Sequence, residues 1–123
     1  MNVLTSTNVN IDWRQYDKDV RDLADKIHKA DLGLSCICPI PRGGCPIGVH
    51  LSHLLKIPME SSPHGKTLIV DDVSDTGKTL LEWHGKSGIY TATLYWKEGA
   101  LVMPNFTVRG YEKSQWIVYP WEV

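Results

Sequence analysis

The sequence predicts an α/β fold, a doubly wound, mostly parallel sheet followed by a small β-rich piece at the C-terminal end. Three observations carry this. Strand-like and helix-like segments alternate through the first three-quarters of the chain. Leu34–Ile40 is an apolar run without polar alternation, as expected of a parallel strand buried on both faces. The densest group of polar, chemically capable residues comes directly after another apolar run, where ligands of such sheets collect beyond the strands' carboxyl ends.

The elements follow in order. Asp12 and Gln15 form an N-cap pair, and Trp13, Tyr16, Val20, Leu23, Ile27 and Ala30 recur at intervals of three and four, which predicts one amphipathic helix ending at Gly33. The charged residues of Asp17–Asp31 form its wet face. After the Leu34–Ile40 strand and the turn Pro41-Arg42-Gly43-Gly44, a second helix starts with Pro46 in its first turn and points Ile47, Leu51, Leu54 and Leu55 inward. Ile57–Met59 is a brief strand and Thr67–Val70 a longer one. The polar turn Asp71–Gly77 then opens a helix through Leu80, Leu81 and Trp83 toward Gly85. Ile89–Tyr95 is the next strand. From Lys97 onward only short β pieces, Phe106–Val108 and Trp116–Tyr119, alternate with turn residues.

At 123 residues the chain has room for one core, so residues 1–123 are expected to form a single domain, with its core over about 11–96 and the C-terminal part over about 97–123. Thirteen basic against fourteen acidic side chains leave a net charge of −1, so no global field draws the chain to nucleic acid or membrane. An anionic ligand must be held locally. Cys36, Cys38 and Cys45 are an odd, clustered set that argues against a disulfide framework and for a reducing, cytoplasmic setting. Met1–Asn10 lacks the basic and apolar blocks of a targeting segment, and no apolar run approaches membrane-spanning length.

The strongest chemical signal is Leu68–Thr79, a strand that delivers Asp71 and Asp72 and then a hydroxyl-rich turn, Asp75-Thr76-Gly77-Lys78-Thr79. Backbone N–H groups from Asp75 to Thr79, with the Thr76 and Thr79 hydroxyls, suit a phosphate monoester, which leaves Asp71 and Asp72 to face a sugar. A nucleotide-binding P-loop fails on spacing, because the position five before Gly77 is Asp72 rather than glycine. A merely solvated turn does not account for three aspartates and two threonines within nine residues of a buried strand.

These residues resemble the type I phosphoribosyltransferases, whose substrate motif is an apolar run, two acids, two variable residues and Asp-Thr-Gly-Lys-Thr. The resemblance implies that Asp71 and Asp72 bind the ribose hydroxyls of phosphoribosyl pyrophosphate and, directly or through water, Mg2+. It implies that Asp75–Thr79 hold the 5-phosphate and that Asp75 is the catalytic residue handling the proton on purine N7. Pro41-Arg42-Gly43-Gly44 is similar to the family's pyrophosphate loop, with Arg42, Gly43 and Gly44 on the leaving anion and a cis peptide at Pro41–Arg42. Lys97, Trp116 and Ile117 correspond to base-binding positions, Lys97 donating to a 6-oxo oxygen and Trp116 stacking on a purine from a C-terminal hood. The closing Trp116–Glu122 is similar to the end of xanthine-guanine and hypoxanthine enzymes. The partners implied are phosphoribosyl pyrophosphate and a purine base, and a homo-oligomer, dimer or tetramer, is expected.

One departure stands out: the long mobile lid of the family has only Pro58–Lys66 to correspond to it. A regulatory binding protein without useful turnover, consistent with the short lid, is one rival reading; a transferase for another nucleobase, with Lys97 as the discriminating residue, is the other. His50, His53 and Cys45 hint at a metal site, but the cysteine spacing is not that of a zinc knuckle, and small buried thiols explain Cys36 and Cys38.

Overall fold

A computed structural model describes residues 7–122. The elements are β1 (Thr7–Asn10), α1 (Trp13–Ala30), β2 (Cys36–Pro39), α2 (Gly44–Leu55), β3 (Thr67–Ser74), α3 (Lys78–Leu81), β4 (Ile89–Lys97), β5 (Arg109–Tyr111) and β6 (Gln115–Val118). A four-stranded sheet has the order β2-β3-β4-β5, and β1 pairs with β6 in a separate two-stranded sheet. Every pairing is parallel.

Strands β2, β3 and β4 of the large sheet are buried on both faces along their apolar stretches, as those runs require, while β5 is an exposed edge strand. Ile37, Leu68, Val70, Ala92 and Leu94 point to one side and pack with Tyr16, Val20, Leu23, Ile27, Ile47 and Leu51 of α1 and α2. Cys36, Cys38 and Ile69 alternate to the other side, where they meet Leu80 and Val102. All three thiols are free.

Asp12 caps α1 through the Gln15 N–H at 2.8 Å. The reciprocal half of the capping box is missing, because the Gln15 amide donates to Asp19 instead. The helix closes at Asp31, which takes the left-handed conformation with φ 49°, two residues before the expected Gly33. Trp13 is exposed and leans against Tyr16 and Trp121 rather than entering the core, and Ala30 is also exposed. Asp19 departs from the expected wet face. It is 1% exposed and accepts from the Tyr95 hydroxyl at 2.6 Å and from Arg109 at 3.3 Å. In α2, Ile47 and Leu51 are buried while Leu54 is exposed.

The other corrections concern strand ends. Ile57–Met59 contributes a single bridge, Met59 to Ile37. β3 runs four residues past Val70, because its pairing with β4 continues through Asp71, Val73 and Ser74. The helix after Gly77 lasts one turn, since Gly85 and Gly88, both at positive φ, bring the chain round into β4. Phe106 makes one bridge to Ala92, and β5 follows it into the large sheet, although it lies within the stretch expected to be hood. No helix among the described residues is long and apolar enough to cross a membrane.

Candidate active site

The carboxyl ends of β2, β3 and β4 lie side by side, and each delivers one part of the site. Asp71 and Asp72 sit on β3, and each carboxylate accepts the next backbone N–H, Asp72 to Asp71 at 2.9 Å and Val73 to Asp72 at 2.8 Å. Burial, and then the Asp72 carboxylate beside it, push the Asp71 carboxyl up to about 7. Two adjacent acids thus share a partly dry position.

The turn after β3 makes a cleft of about 70 Å³ lined by Asp71, Val73, Ser74, Asp75, Thr76, Gly77, Thr79 and Leu80. Gly77 has φ 85°, and a Cβ there would lie 2.7 Å from the backbone nitrogens of both Leu101 and Val102. That close approach holds the turn: Leu101 N–H donates to the Thr76 carbonyl at 2.8 Å, and the Ser74 hydroxyl to the Val102 carbonyl at 2.8 Å. Lys78 is exposed and does not line the cleft.

The turn after β2 contains a cis peptide at Pro41–Arg42, and the Arg42 side chain is exposed. Its glycines have a structural reason that their sequence context did not reveal. A Cβ on Gly43 would lie 2.4 Å from Asp72 Oδ2, and one on Gly44 would lie 2.3 Å from the Val70 carbonyl oxygen. The loop is pressed onto the strand that carries the acids.

A second cleft, also about 70 Å³, is lined by Asp72, Val73, Asp75, Lys97, Trp116, Ile117, Tyr119 and Glu122. Lys97 ends β4 and is 4% exposed. Its ammonium lies 3.5 Å from Asp75 Oδ2 and 5.1 Å from the centroid of the Trp116 ring, while the Trp116 side chain itself is 56% exposed. Val73 and Asp75 line both clefts, so the two adjoin there. Of the expected residues, the structure brings together Asp71, Asp72, Asp75, Thr76, Gly77, Thr79, Lys97, Trp116 and Ile117. Arg42, Gly43, Gly44 and Lys78 line neither cleft. Val73 was expected only as a variable position of the motif, and Tyr119 and Glu122 only as members of the closing Trp116–Glu122 stretch, none of them with a role at the site.

A larger groove of about 340 Å³ between α1 and α2, lined by Arg21, Ala24, Asp25, His28, Leu54 and Leu55, shares no residue with either cleft. His50 spends its Nδ1 on the Tyr16 hydroxyl. No cluster of three or more His, Cys, Asp or Glu side chains suited to a metal occurs among the described residues.

No protein-family model matches the chain. The crystal structure of a purine phosphoribosyltransferase from Pyrococcus horikoshii Ot3 does, with a TM-score of 0.77 and 33% identity over 94% of each chain. The chain belongs to the type I phosphoribosyltransferases. This phosphoribosyltransferase also shares its fold with the Helicobacter pylori xanthine-guanine-hypoxanthine phosphoribosyltransferase, at a TM-score of 0.79 and 20% identity over 96% of this chain and 94% of that one. A hypothetical protein from Neisseria gonorrhoeae with bound ppGpp matches at a TM-score of 0.79 and 20% identity, over 97% of this chain and 91% of that one.

Proposed function

We propose that this phosphoribosyltransferase joins a 6-oxopurine to the 5-phosphoribosyl group of phosphoribosyl pyrophosphate, giving a purine nucleotide and pyrophosphate, with Mg2+ as its ion. The observation that carries this reading is the meeting of the two clefts at Val73 and Asp75. A phosphate in the Asp75–Thr79 turn places the sugar at Asp71 and Asp72, and a base between Lys97 and Trp116 then sits next to the anomeric carbon. The purine of the Pyrococcus enzyme's name supports the choice of base.

In the reaction the N9–C1′ bond forms as the C1′–O bond to pyrophosphate breaks, and the bonding pair leaves with pyrophosphate. The ribosyl centre carries positive charge on the way, which the carboxylates of Asp71 and Asp72 favour. Arg42 meets the departing anion. Asp75, beside Lys97, accepts or shares the proton of the base. Lys97 donates to the 6-oxo oxygen, a contact that an exocyclic amine in that place cannot accept.

Mg2+ fits the donor set. It is ordinarily held by one or two carboxylates together with substrate phosphates rather than by a cage of protein ligands. Asp71 and Asp72 offer two adjacent hard-oxygen groups, and burial and then the neighbouring Asp72 raise the Asp71 carboxyl to about 7, which a bound cation would oppose. When bound, the ion neutralises charge on the diphosphate.

The test is to incubate the protein with phosphoribosyl pyrophosphate, Mg2+ and, separately, hypoxanthine, guanine, xanthine, adenine and orotate. Nucleotide from the 6-oxopurines and little from adenine or orotate is expected. Nucleotide chiefly from adenine or orotate would overturn the assignment of the base. Tight binding of phosphoribosyl pyrophosphate with no nucleotide from any base would make the protein a binding module.

A further inference from the structure

The peptide of Asp72 is held less by the sheet than its neighbours are. Along β3 and β4 the register runs Asp71 to Thr93 and then Val73 to Tyr95, with no pair at Asp72. On the other side, β2 stops pairing at Pro39 and Val70. The Asp72 N–H turns to the Asp71 carboxylate, and its carbonyl accepts from the Tyr119 hydroxyl at 2.6 Å. Tyr119, just past β6, is 2% exposed. Its ring stacks between Tyr95 (5.8 Å, 16°) and Trp121 (4.8 Å, 11°). Its own N–H is taken by Glu122 Oε1 at 2.7 Å, which fixes the chain where it turns.

The same side chain forms part of the base cleft, with Trp116 and Ile117 of β6 and Lys97 of β4. It therefore touches two things at once, the wall against which a base would rest and the backbone of an acid that would hold the sugar. A base that steadies β6 steadies the Asp72 peptide through one hydrogen bond, and a sugar bound at Asp72 steadies the base wall in return. Coupling of this kind is reciprocal by thermodynamic necessity.

We infer that Tyr119 is a positioning residue that joins the base cleft to the acidic pair, so that base and phosphoribosyl pyrophosphate strengthen each other's binding. The inference rests on the proposed function and deepens it. The measurement is the dissociation constant of phosphoribosyl pyrophosphate with Mg2+, with and without a 6-oxopurine carrying carbon in place of N9, which cannot accept the ribosyl group. In the wild type the base analogue should tighten binding about fivefold or more, within the usual range of such couplings. In Tyr119→Phe that factor should fall toward one, whatever the change does to the binding of each ligand alone. A core tyrosine without this role would lower thermal stability and leave the factor unchanged, and an unchanged factor overturns the inference.

If the phenylalanine variant does not fold, hydrogen exchange on the wild type decides. The base analogue alone should slow exchange across Asp71–Ser74, and unaltered exchange there overturns the coupling. Failure of the wild type to bind either ligand is a different result, since it removes the proposed function first and this inference with it.

Discussion

The ammonium of Lys97 lies 3.5 Å from the Asp75 carboxylate, at a position where the lysine is 4% exposed and the aspartate side chain 43%. A buried cation of the cleft beside Trp116 thus leans on an acid that also lines the cleft of the Asp75–Thr79 turn. Lys97→Ala should weaken the use of 6-oxopurines by about 10–100-fold, the scale of a lost hydrogen bond to a charged donor, with phosphoribosyl pyrophosphate still bound. Separate saturation curves for the two substrates check this. Equal weakening of both would make Lys97 structural.

Asp75→Asn keeps a polar side chain in place but removes both the proton acceptor and the counter-charge of Lys97. Turnover should fall by roughly 10²-fold with little change in the binding of phosphoribosyl pyrophosphate, as for other positioned acid–base groups. Single-turnover rates at saturating substrate read this directly, and an unchanged rate would take Asp75 out of the proton step.

The parts of this site that lie within one short stretch were legible in the sequence, and the parts assembled from distant stretches were not. Asp71–Thr79 carries its spacing on a single strand and turn, so its residues fall together whatever the rest of the chain does. The expected base residues, Lys97, Trp116 and Ile117, came from resemblance, and the structure gathers all three. β1 is polar Thr-Asn-Val-Asn with no pattern of its own, and it is a strand only because β6, more than a hundred residues later, lies beside it. Asp19 looked like one more surface charge on a helix until Tyr95 and Arg109 met it. Gly43 looked like a ligand-approach glycine, and its neighbour proved to be Asp72.

Burial and the nearby Asp72 push the Asp71 carboxyl up to about 7. The unfolded chain releases that proton near pH 4. Between about pH 4 and 7 the folded state therefore binds more protons than the unfolded one, and this group's contribution makes stability fall as pH rises through the window and level off above it. Thermal unfolding of the metal-free protein at several pH values, compared with Asp71→Asn, isolates the effect. The variant should lose less stability between pH 5 and 8 than the wild type. Parallel pH profiles would mean that Asp71 ionises normally.

Two glycines at the site should respond differently to alanine. Gly43 has φ −60°, which alanine accepts, and the atoms nearest its Cβ would be those of the Asp72 carboxylate, a side chain rather than backbone. Gly43→Ala should keep its melting temperature but bind phosphoribosyl pyrophosphate more weakly. Gly77 has φ 85° and would drive its Cβ against the backbone of Leu101 and Val102. Gly77→Ala should cost about 1–3 kcal/mol of stability through strained backbone, and more if the 101–102 segment is displaced. Calorimetry beside ligand titration separates the two, and equal melting temperatures would refute the distinction.

The segment between α2 and β3 turns back too early to cover the reacting centre. Met59 bridges to Ile37, and the Glu60 N–H donates to the Ile37 carbonyl at 2.9 Å, below the end of β2. The chain then returns to the start of β3, where the His64 N–H meets the Thr67 hydroxyl at 3.0 Å and the His64 carbonyl accepts from the Cys36 thiol at 3.4 Å. Pro58–Glu60 are thus tied to Ile37, and His64–Lys66 to the start of β3 at the end of the sheet away from Asp71, Asp72 and Arg42, which leaves three residues between them. With no cover from this segment, water is expected to reach the anomeric carbon of bound phosphoribosyl pyrophosphate, to weaken the electrostatics there and to compete with the base for the cation-like sugar. Turnover should be modest, and some phosphoribosyl pyrophosphate should be hydrolysed to ribose 5-phosphate, increasingly so as the base becomes scarce. The measurement is nucleotide formed per pyrophosphate released, at saturating and at limiting purine. A ratio below one that drops further at limiting purine is expected; a ratio of one throughout would show that something other than this segment, such as a neighbouring subunit, shields the centre.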